Sequence, residues 1–383
     1  MPHSKKNILL PAMTPGTERS IAVHRFGKAG ARPKAYLQAA IHANELPGAM
    51  ALHHLLPMLV EADRQGKIKG EIVVAPTVNP IGLSQLVGST HLGRYDLLGR
   101  ENFNRNWHDL SAAVAGRIGA QLGSNAQDNV ALIRKAALAE LAAIKPRSEL
   151  QTLRVEVMRL SIDADVVLDL HCDAEALLHL FISAKDWPDP AQALAADLGV
   201  EATLYNEPYP ESLTFSGVHS ALWARLAERF PAAAIPQACL SATVEYRGQH
   251  DVNHQLGAAD ANNLYRYLVR RGIISGRSGK PPQLKAEATP IGGMDVGYAP
   301  TTGILVYHLA KGAMVRKGAS VCEVIDPADA RGQKARKQIL ARTDGILFSR
   351  KPDGRLAWPG AVVFRIAGAR VLAHRKGMSG LDD

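Results

Sequence analysis

The sequence predicts an α/β fold, with a mixed, mostly parallel sheet flanked by helices, followed by an all-β C-terminal segment. Three observations predict it. Through residues 1–275, short apolar runs ending in histidine or glutamate alternate with stretches of helical periodicity. At 383 residues and 46% hydrophobic content, the chain can bury a sizeable core and is long enough for two domains. Beyond residue 285 the pattern changes to glycine-punctuated strands that repeat.

Taken in order, the run from Ala35 to His42 is mostly apolar and reads as a buried strand, and Ala49 onward reads as a helix. His42 and Glu45 therefore fall at a strand's carboxyl end. Ligands three residues apart on such a turn can converge on one point, and imidazole with carboxylate suits a borderline ion such as zinc. His42 is the only histidine in the chain with a glutamate three residues on. Glu71 to Pro76 reads as a second strand, and Gly93 to Trp107, rich in glycine, asparagine and arginine, as an irregular loop where binding groups accumulate. A guanidinium offers a planar fork and an adjacent amide a further donor, so Asn104-Arg105 suits a substrate carboxylate. A second arginine would stabilise a developing oxyanion. Arg94 and Arg100 both serve, spacing does not decide between them, and Arg94 is favoured. The competing reading is a surface loop salt-bridged through Asp96, Glu101 and Asp109.

From Ser111 to Arg159 apolar residues recur three and four apart, which predicts helices that cover or flank the site or meet another subunit. Val166 to His171 is another apolar strand ending in histidine. Neighbouring strands lie about 5 Å apart, so His171 can join His42 and Glu45. Two histidines and one carboxylate leave one zinc position open, the mark of a catalytic site. Leu240 to Glu245 ends a further β-rich run in a carboxylate, making Glu245 the candidate general base rather than a surface partner of Arg247. The three cysteines, Cys172, Cys239 and Cys322, have no paired spacing and suggest neither a thiolate metal site nor a disulfide framework.

These motifs resemble the succinylglutamate desuccinylase/aspartoacylase family, a branch of the zinc carboxypeptidase-like fold. The resemblance spans residues 35 to 270 and is carried by His42-x-x-Glu45, the Asn-Arg-Asn-Trp run from 104 to 107, Asp-Leu-His from 169 to 171, and Thr-Val-Glu from 243 to 245. It implies one zinc ion per chain on His42, Glu45 and His171, Asn104 and Arg105 as substrate-carboxylate contacts, Glu245 as general base and Arg94 at the oxyanion. It also implies hydrolysis of an N-acyl amino acid. Two other readings stand beside it: a metallocarboxypeptidase acting on short peptides, and a non-catalytic protein that binds a metabolite. The presence of a base alongside the full ligand set weighs against the last. No segment fixes a desuccinylase or aspartoacylase side-chain pocket, so the acyl group and amino acid stay open.

A glycine-, serine- and proline-rich stretch from Arg271 to Gln283 marks the expected boundary between a catalytic domain over 1–275, carrying a helical insertion at about 111–160, and a β domain over 285–383. In that second domain Gly303, Gly312, Gly318 and Val324 recur as Gly345, Gly354, Gly360 and Ile366 at a constant offset of 42 residues. Two intertwined half-motifs in a small sandwich or flattened barrel are expected, resembling a biotinyl/lipoyl-carrier fold. Such carriers present a lysine commonly flanked by methionine. Lys334 and Lys337 lack those flanking residues, so a structural or site-shaping role is expected.

A net charge of +9 raises the question of nucleic acid, but the basic residues are dispersed and aromatics make up only 5%. No nucleic-acid or membrane partner is expected, since no run approaches the roughly 20 apolar residues of a membrane span. The N-terminal residues precede no signal-peptide core, which points to the cytoplasm. The insertion and the resemblance together suggest a homo-oligomer. A positive field would also draw in anionic N-acyl amino acids and raise encounter rates. On that account kcat/KM falls as salt is added while kcat holds, and a flat salt profile would contradict it.

Overall fold

The computed structural model describes residues 3–206, 213–352 and 354–376; the outer ends of both expected domains, 1–2 and 377–383, lie outside them. Nine strands form the main sheet, in the order Ser4–Leu9, Ser20–Gly27, Glu71–Ala75, Lys34–Ala39, Val166–Asp173, Leu240–Gly248, His179–Ser183, Ala202–Asn206 and Ala288–Pro290. The four strands from Glu71–Ala75 to Leu240–Gly248 are parallel, and His179–Ser183 runs antiparallel to Leu240–Gly248. The sheet is therefore mixed, with its parallel strands central and buried on both sides. That explains why they read as continuous apolar runs.

Alternation along those strands sorts the core into two layers. Tyr36, Val73 and Val167 point to one face, where they meet Val114 of the helix Ser111–Ile118, Ile133 of Ala126–Ala143, Leu153 of Glu149–Ser161 and Leu222 of Phe215–Arg229. Leu37, Val74 and Leu168 point to the other, against Leu55 of Pro47–Arg64, Leu194 of Ala191–Leu198 and Leu264 of His254–Arg270. The periodic stretch after Ser111 is thus three helices laid on the sheet. Asn125 and Ser148 cap two of them, accepting from Gln127 N and Gln151 N. Arg154 of the third helix donates to Glu101 Oε2 at 2.9 Å and so grips the loop before it.

One expectation needs correction at its end. The strand read over Ala35 to His42 stops at Ala39, because Ala40 turns into the left-handed region at φ 60°. A side chain pays steric energy there, and such strain persists only where the surroundings fix it. His42 consequently sits on the turn, beyond the strand.

The two C-terminal halves interleave. One sheet joins Met294–Tyr298, Val362–Ala367, Gly345–Arg350 and Met314–Val315; the other joins Lys337–Leu340, Ser320–Ile325, Gly303–Tyr307 and Leu356–Ala357. Each sheet thereby takes two strands from each half, in line with the 42-residue repeat. The turn glycines 312 and 354 share a left-handed φ, as do 318 and 360. This β unit is bound to the main sheet in ways periodicity did not reveal. Ala288–Pro290 is the ninth strand of the main sheet, while Glu175–Ala176, just past His171, pairs with Gly345–Arg350. The three cysteines are buried and unbridged, and no helix among the described residues is long and apolar enough to cross a membrane.

At the sheet end opposite the glutamate of Leu240–Gly248, Asp186 is fully buried in the turn Ala184–Asp186. Burial pushes its carboxyl up to about 8, with the Ser220 hydroxyl and the Arg271 guanidinium only partly opposing. An unfolded aspartate titrates at about 4. Between those values the folded state keeps a proton the unfolded chain has released, so stability falls as pH rises from about 4 to about 8. Asp186→Asn should flatten that slope. Urea midpoints at pH 5 and pH 8 check it, and equal losses in both proteins would contradict it.

Candidate metal centre

Three carboxyl-terminal strand ends build the site. After the bend at Ala40, Asn79 Nδ2 donates to Ile41 O at 2.7 Å, and Glu45 N donates to His42 O at 3.0 Å, closing the turn that carries both residues. Gly48 then lets the following helix rest on the His171 strand, since a Cβ there would lie 2.6 Å from Leu170 Cβ. Gly93 lets the long loop lie on the turn itself, because a Cβ would come within 2.3 Å of Asn44 N. Register does the rest. Leu240–Gly248 pairs with Val166–Asp173 so that Glu245 lies directly beside His171.

His42, Glu45 and His171 are all buried, and each offers one donor atom within 4.8 Å of the others. His42 Nδ1 is 3.0 Å from Glu45 Oε1, and His171 Nδ1 is 2.7 Å from Glu45 Oε2. The rings stand at 76° to each other with both Nδ1 atoms turned inward. Their outer nitrogens are also held: His42 Nε2 by Asn102 Oδ1 at 2.8 Å, and His171 Nε2 by Asp169 Oδ2 at 2.8 Å. Asp169 is itself fixed by Gln38, its cross-strand partner, whose Nε2 donates to Oδ1 at 2.9 Å; Tyr36 OH donates in turn to Gln38 Oε1. Two neutral-capable imidazoles, one carboxylate and an anchored outer nitrogen on each ring are the donor set a divalent ion requires.

Electrostatics agrees with that fit. Burial, with Arg94 and His171 adding to it, lowers the His42 pKa over the opposition of Glu45, so this ring is neutral at neutral pH. Burial acts the same way on His171, but Asp169 and Glu45 outweigh it and raise the pKa well above its ordinary value. Against burial, the two imidazoles hold Glu45 ionised, below the usual carboxylate range. Asp169 and Glu45 thus make a buried negative pocket that favours a cation.

Glu245 is half-buried overall, yet its Oε2 is shielded from solvent and accepts no hydrogen bond. Burial pushes its carboxyl up to about 8, helped by Glu45 and Asp173 and opposed by His171. Arg247, the alternative partner, instead pairs with Asp260, its Nη1 lying 3.1 Å from Oδ1. Of the two oxyanion candidates, Arg94 reaches the ligands, with Nη1 at 3.2 Å from Glu45 Oε1 and 3.4 Å from His42 Nδ1. Arg100 lies on an exposed turn. The loop's acids are engaged elsewhere: Glu101 with Arg154, Asp109 with Arg225, and Asp96 with Leu98 N and Gly99 N.

Asn104 is placed differently from expectation. Its carboxamide is buried, with Nδ2 at 3.1 Å from His171 Nε2 and Oδ1 accepting from Trp107 Nε1 at 3.1 Å and Phe215 N at 2.8 Å. It backs His171 and caps the start of a helix; it does not face outward toward a carboxylate. Arg105 follows it, half-buried, donating from Nη1 to Asn104 O at 3.0 Å. Sequence reasoning gave no role to Asn102 or Gln38, and it used Asp169 only as part of the Asp-Leu-His run. A signal existed for Asp169, two residues before His171 and so on the same strand face. Replacing Asn104 with alanine leaves Trp107 Nε1 and Phe215 N without this acceptor, at about 1–3 kcal/mol for each buried group left unpaired. A loss of unfolding free energy in urea below that range would contradict the buried role.

Residues 31–132 match the model of the succinylglutamate desuccinylase/aspartoacylase catalytic domain. That span contains His42, Glu45, Arg94, Asn104 and Arg105 and stops short of His171 and Glu245. The family recognised in the sequence motifs is the one whose catalytic-domain model matches. No curated protein matches the chain by sequence. Among solved structures, a provisionally assigned succinylglutamate desuccinylase/aspartoacylase from Shewanella frigidimarina superposes with a TM-score of 0.84 at 19% identity, covering 96% of this chain and 97% of that one. A similarly assigned family protein from Shewanella amazonensis gives 0.82 at 20% identity, over 95% and 98%. The product-bound ectoine utilization protein EutE (DoeB) from Ruegeria pomeroyi gives 0.63 at 17% identity, over 96% and 95%. At these identities the likeness is one of fold, and it extends through the C-terminal β unit.

Proposed function

We propose that this chain, with its succinylglutamate desuccinylase/aspartoacylase catalytic-domain match, is a zinc-dependent amide hydrolase that removes the acyl group from an N-acyl amino acid or a similar small amide bearing a carboxylate. The observation that carries the reading is the convergence of His42 Nδ1, Glu45 and His171 Nδ1 on one buried point, with Glu245 alongside.

In this reading His42, Glu45 and His171 hold one zinc ion. Such an ion supplies Lewis acidity toward the scissile carbonyl and lowers the pKa of water. Glu245 takes the proton from the attacking water at its carboxylate and returns it to the leaving amine. The guanidinium of Arg94, beside Glu45, steadies negative charge developing on the carbonyl oxygen. Arg105 anchors the substrate carboxylate through its planar fork. Asp169 and Asn102 keep both Nδ1 atoms turned inward.

The β unit has a structural, site-shaping role in this account. It reaches the ligand strand through Arg365 Nη1, which donates to Asp173 Oδ2 at 3.0 Å, two residues beyond His171.

The test is primary-amine release by zinc-loaded protein from N-acetyl, N-formyl, N-succinyl and longer N-acyl amino acids, with short peptides alongside. Cleavage of one blocked amino acid supports the reading and names its substrate. Cleavage of peptides alone would replace it with a metallocarboxypeptidase. Silence across the whole series would contradict catalysis of either kind.

A further inference from the structure

Between residues 86 and 98 the chain exposes Leu86, Val87, Leu92, Tyr95, Leu97 and Leu98, from 39% at Leu92 to 76% at Leu98. Singly exposed apolar residues are ordinary on any surface, whereas six within thirteen positions concentrate exposed hydrocarbon on one segment, as in segments that meet a ligand or a partner.

The segment is built to present these side chains. A hairpin pairs Leu86–Val87 with Thr90–His91. Gln85 turns inward from its base, with Nε2 donating to Tyr95 O at 2.7 Å and Oε1 accepting from Leu97 N at 2.9 Å. The Asp96 carboxylate accepts from Leu98 N at 3.3 Å and from Gly99 N at 2.9 Å. The polar groups are thus satisfied within the loop, and hydrocarbon is what remains outside.

The segment is also tied to the metal centre. Ala43 N, between His42 and Glu45, donates to Gly93 O at 2.8 Å. Arg94, which reaches Glu45 Oε1, stands between Leu92 and Tyr95 in the chain. Leu46, directly after Glu45, is 39% exposed as well.

We propose that this apolar rim receives the hydrocarbon part of the acyl group, so that the substrates are N-acyl amino acids with acyl chains longer than acetyl. The inference rests on the amide-hydrolase reading above. In this proposal Arg94 flanks the carbonyl and Arg105 takes the carboxylate, and the acyl chain runs along the segment that carries Arg94, meeting first Leu92 and Tyr95, its near neighbours in the chain. Contact with Leu97 and Leu98 requires a longer chain. Each methylene that leaves water against such a surface raises kcat/KM by about fourfold.

The experiment compares kcat/KM for N-acetyl, N-butanoyl, N-hexanoyl and N-octanoyl forms of one amino acid, in the zinc-loaded full chain and in the double variant L97D/L98D. Both positions are exposed, so the substitutions leave the core intact. The expected result is a rise with chain length in the wild type and an octanoyl-to-acetyl ratio at least tenfold lower in the variant. A flat series with measurable N-acetyl cleavage overturns the inference and leaves the hydrolase reading standing. No cleavage at any length removes the hydrolase reading itself. If the ratio is unchanged while L97D/L98D abolishes self-association in sedimentation, or binding to vesicles of neutral lipid, the rim is an interface or membrane contact and the inference fails.

Discussion

Glu245→Gln is expected to keep one zinc ion per chain and to lower turnover by a factor on the order of 100 or more. The substitution preserves size and the capacity to accept a hydrogen bond, but it removes the ability to carry a proton at that atom. None of the three proposed ligands changes, and Glu245 Oε2 has no hydrogen-bond partner to lose. A variant that bound less metal would show instead that Glu245 belongs to the ligand set. The pH profile supplies a second check. A nearby cation draws the Glu245 carboxyl down from about 8, so the acid limb of kcat/KM in the zinc-loaded enzyme lies below that value and disappears in the glutamine variant. An acid limb that persists unchanged would place the titrating group elsewhere.

The second large effect concerns a residue that touches no donor face. Asp169 holds His171 Nε2 at 2.8 Å, fixing which nitrogen points inward. Asp169→Asn should weaken zinc affinity by about 10–100-fold, the usual cost of losing an outer carboxylate behind a metal-binding histidine. His171→Ala, which deletes a donor, should lose stoichiometric zinc altogether. Competition against a chromophoric chelator separates the two. Wild-type affinity in Asp169→Asn would show that the negative charge of Asp169 is not needed to orient His171.

The contrast between these two residues reflects what the sequence carries. Apolar runs ending in His42, His171 and Glu245 are written in local periodicity, and so is the glycine-marked repeat from 303 to 366. Strand ends of a parallel sheet share one edge, so periodicity suffices to bring those residues together. The anchoring partners depend on register. Gln38 meets Asp169 only because Lys34–Ala39 and Val166–Asp173 pair in one particular alignment, which no single segment encodes. Asn104 was legible as a polar loop residue, but the direction of its amide depends on Trp107 and on the helix starting at Phe215. The left-handed bend at Ala40 had no glycine or asparagine to announce it. The sharing of strands between the main sheet and the β unit was equally hidden, because it involves two- and three-residue segments with no period of their own.

The central claim is that chemistry at this site requires the ion held by His42, Glu45 and His171. Its most direct test is to strip the protein with a chelator, then titrate zinc back while following amine release from the best N-acyl amino acid. The account predicts activity lost on stripping and restored in proportion to bound zinc, saturating at one ion per chain. Full activity in metal-free protein would contradict it.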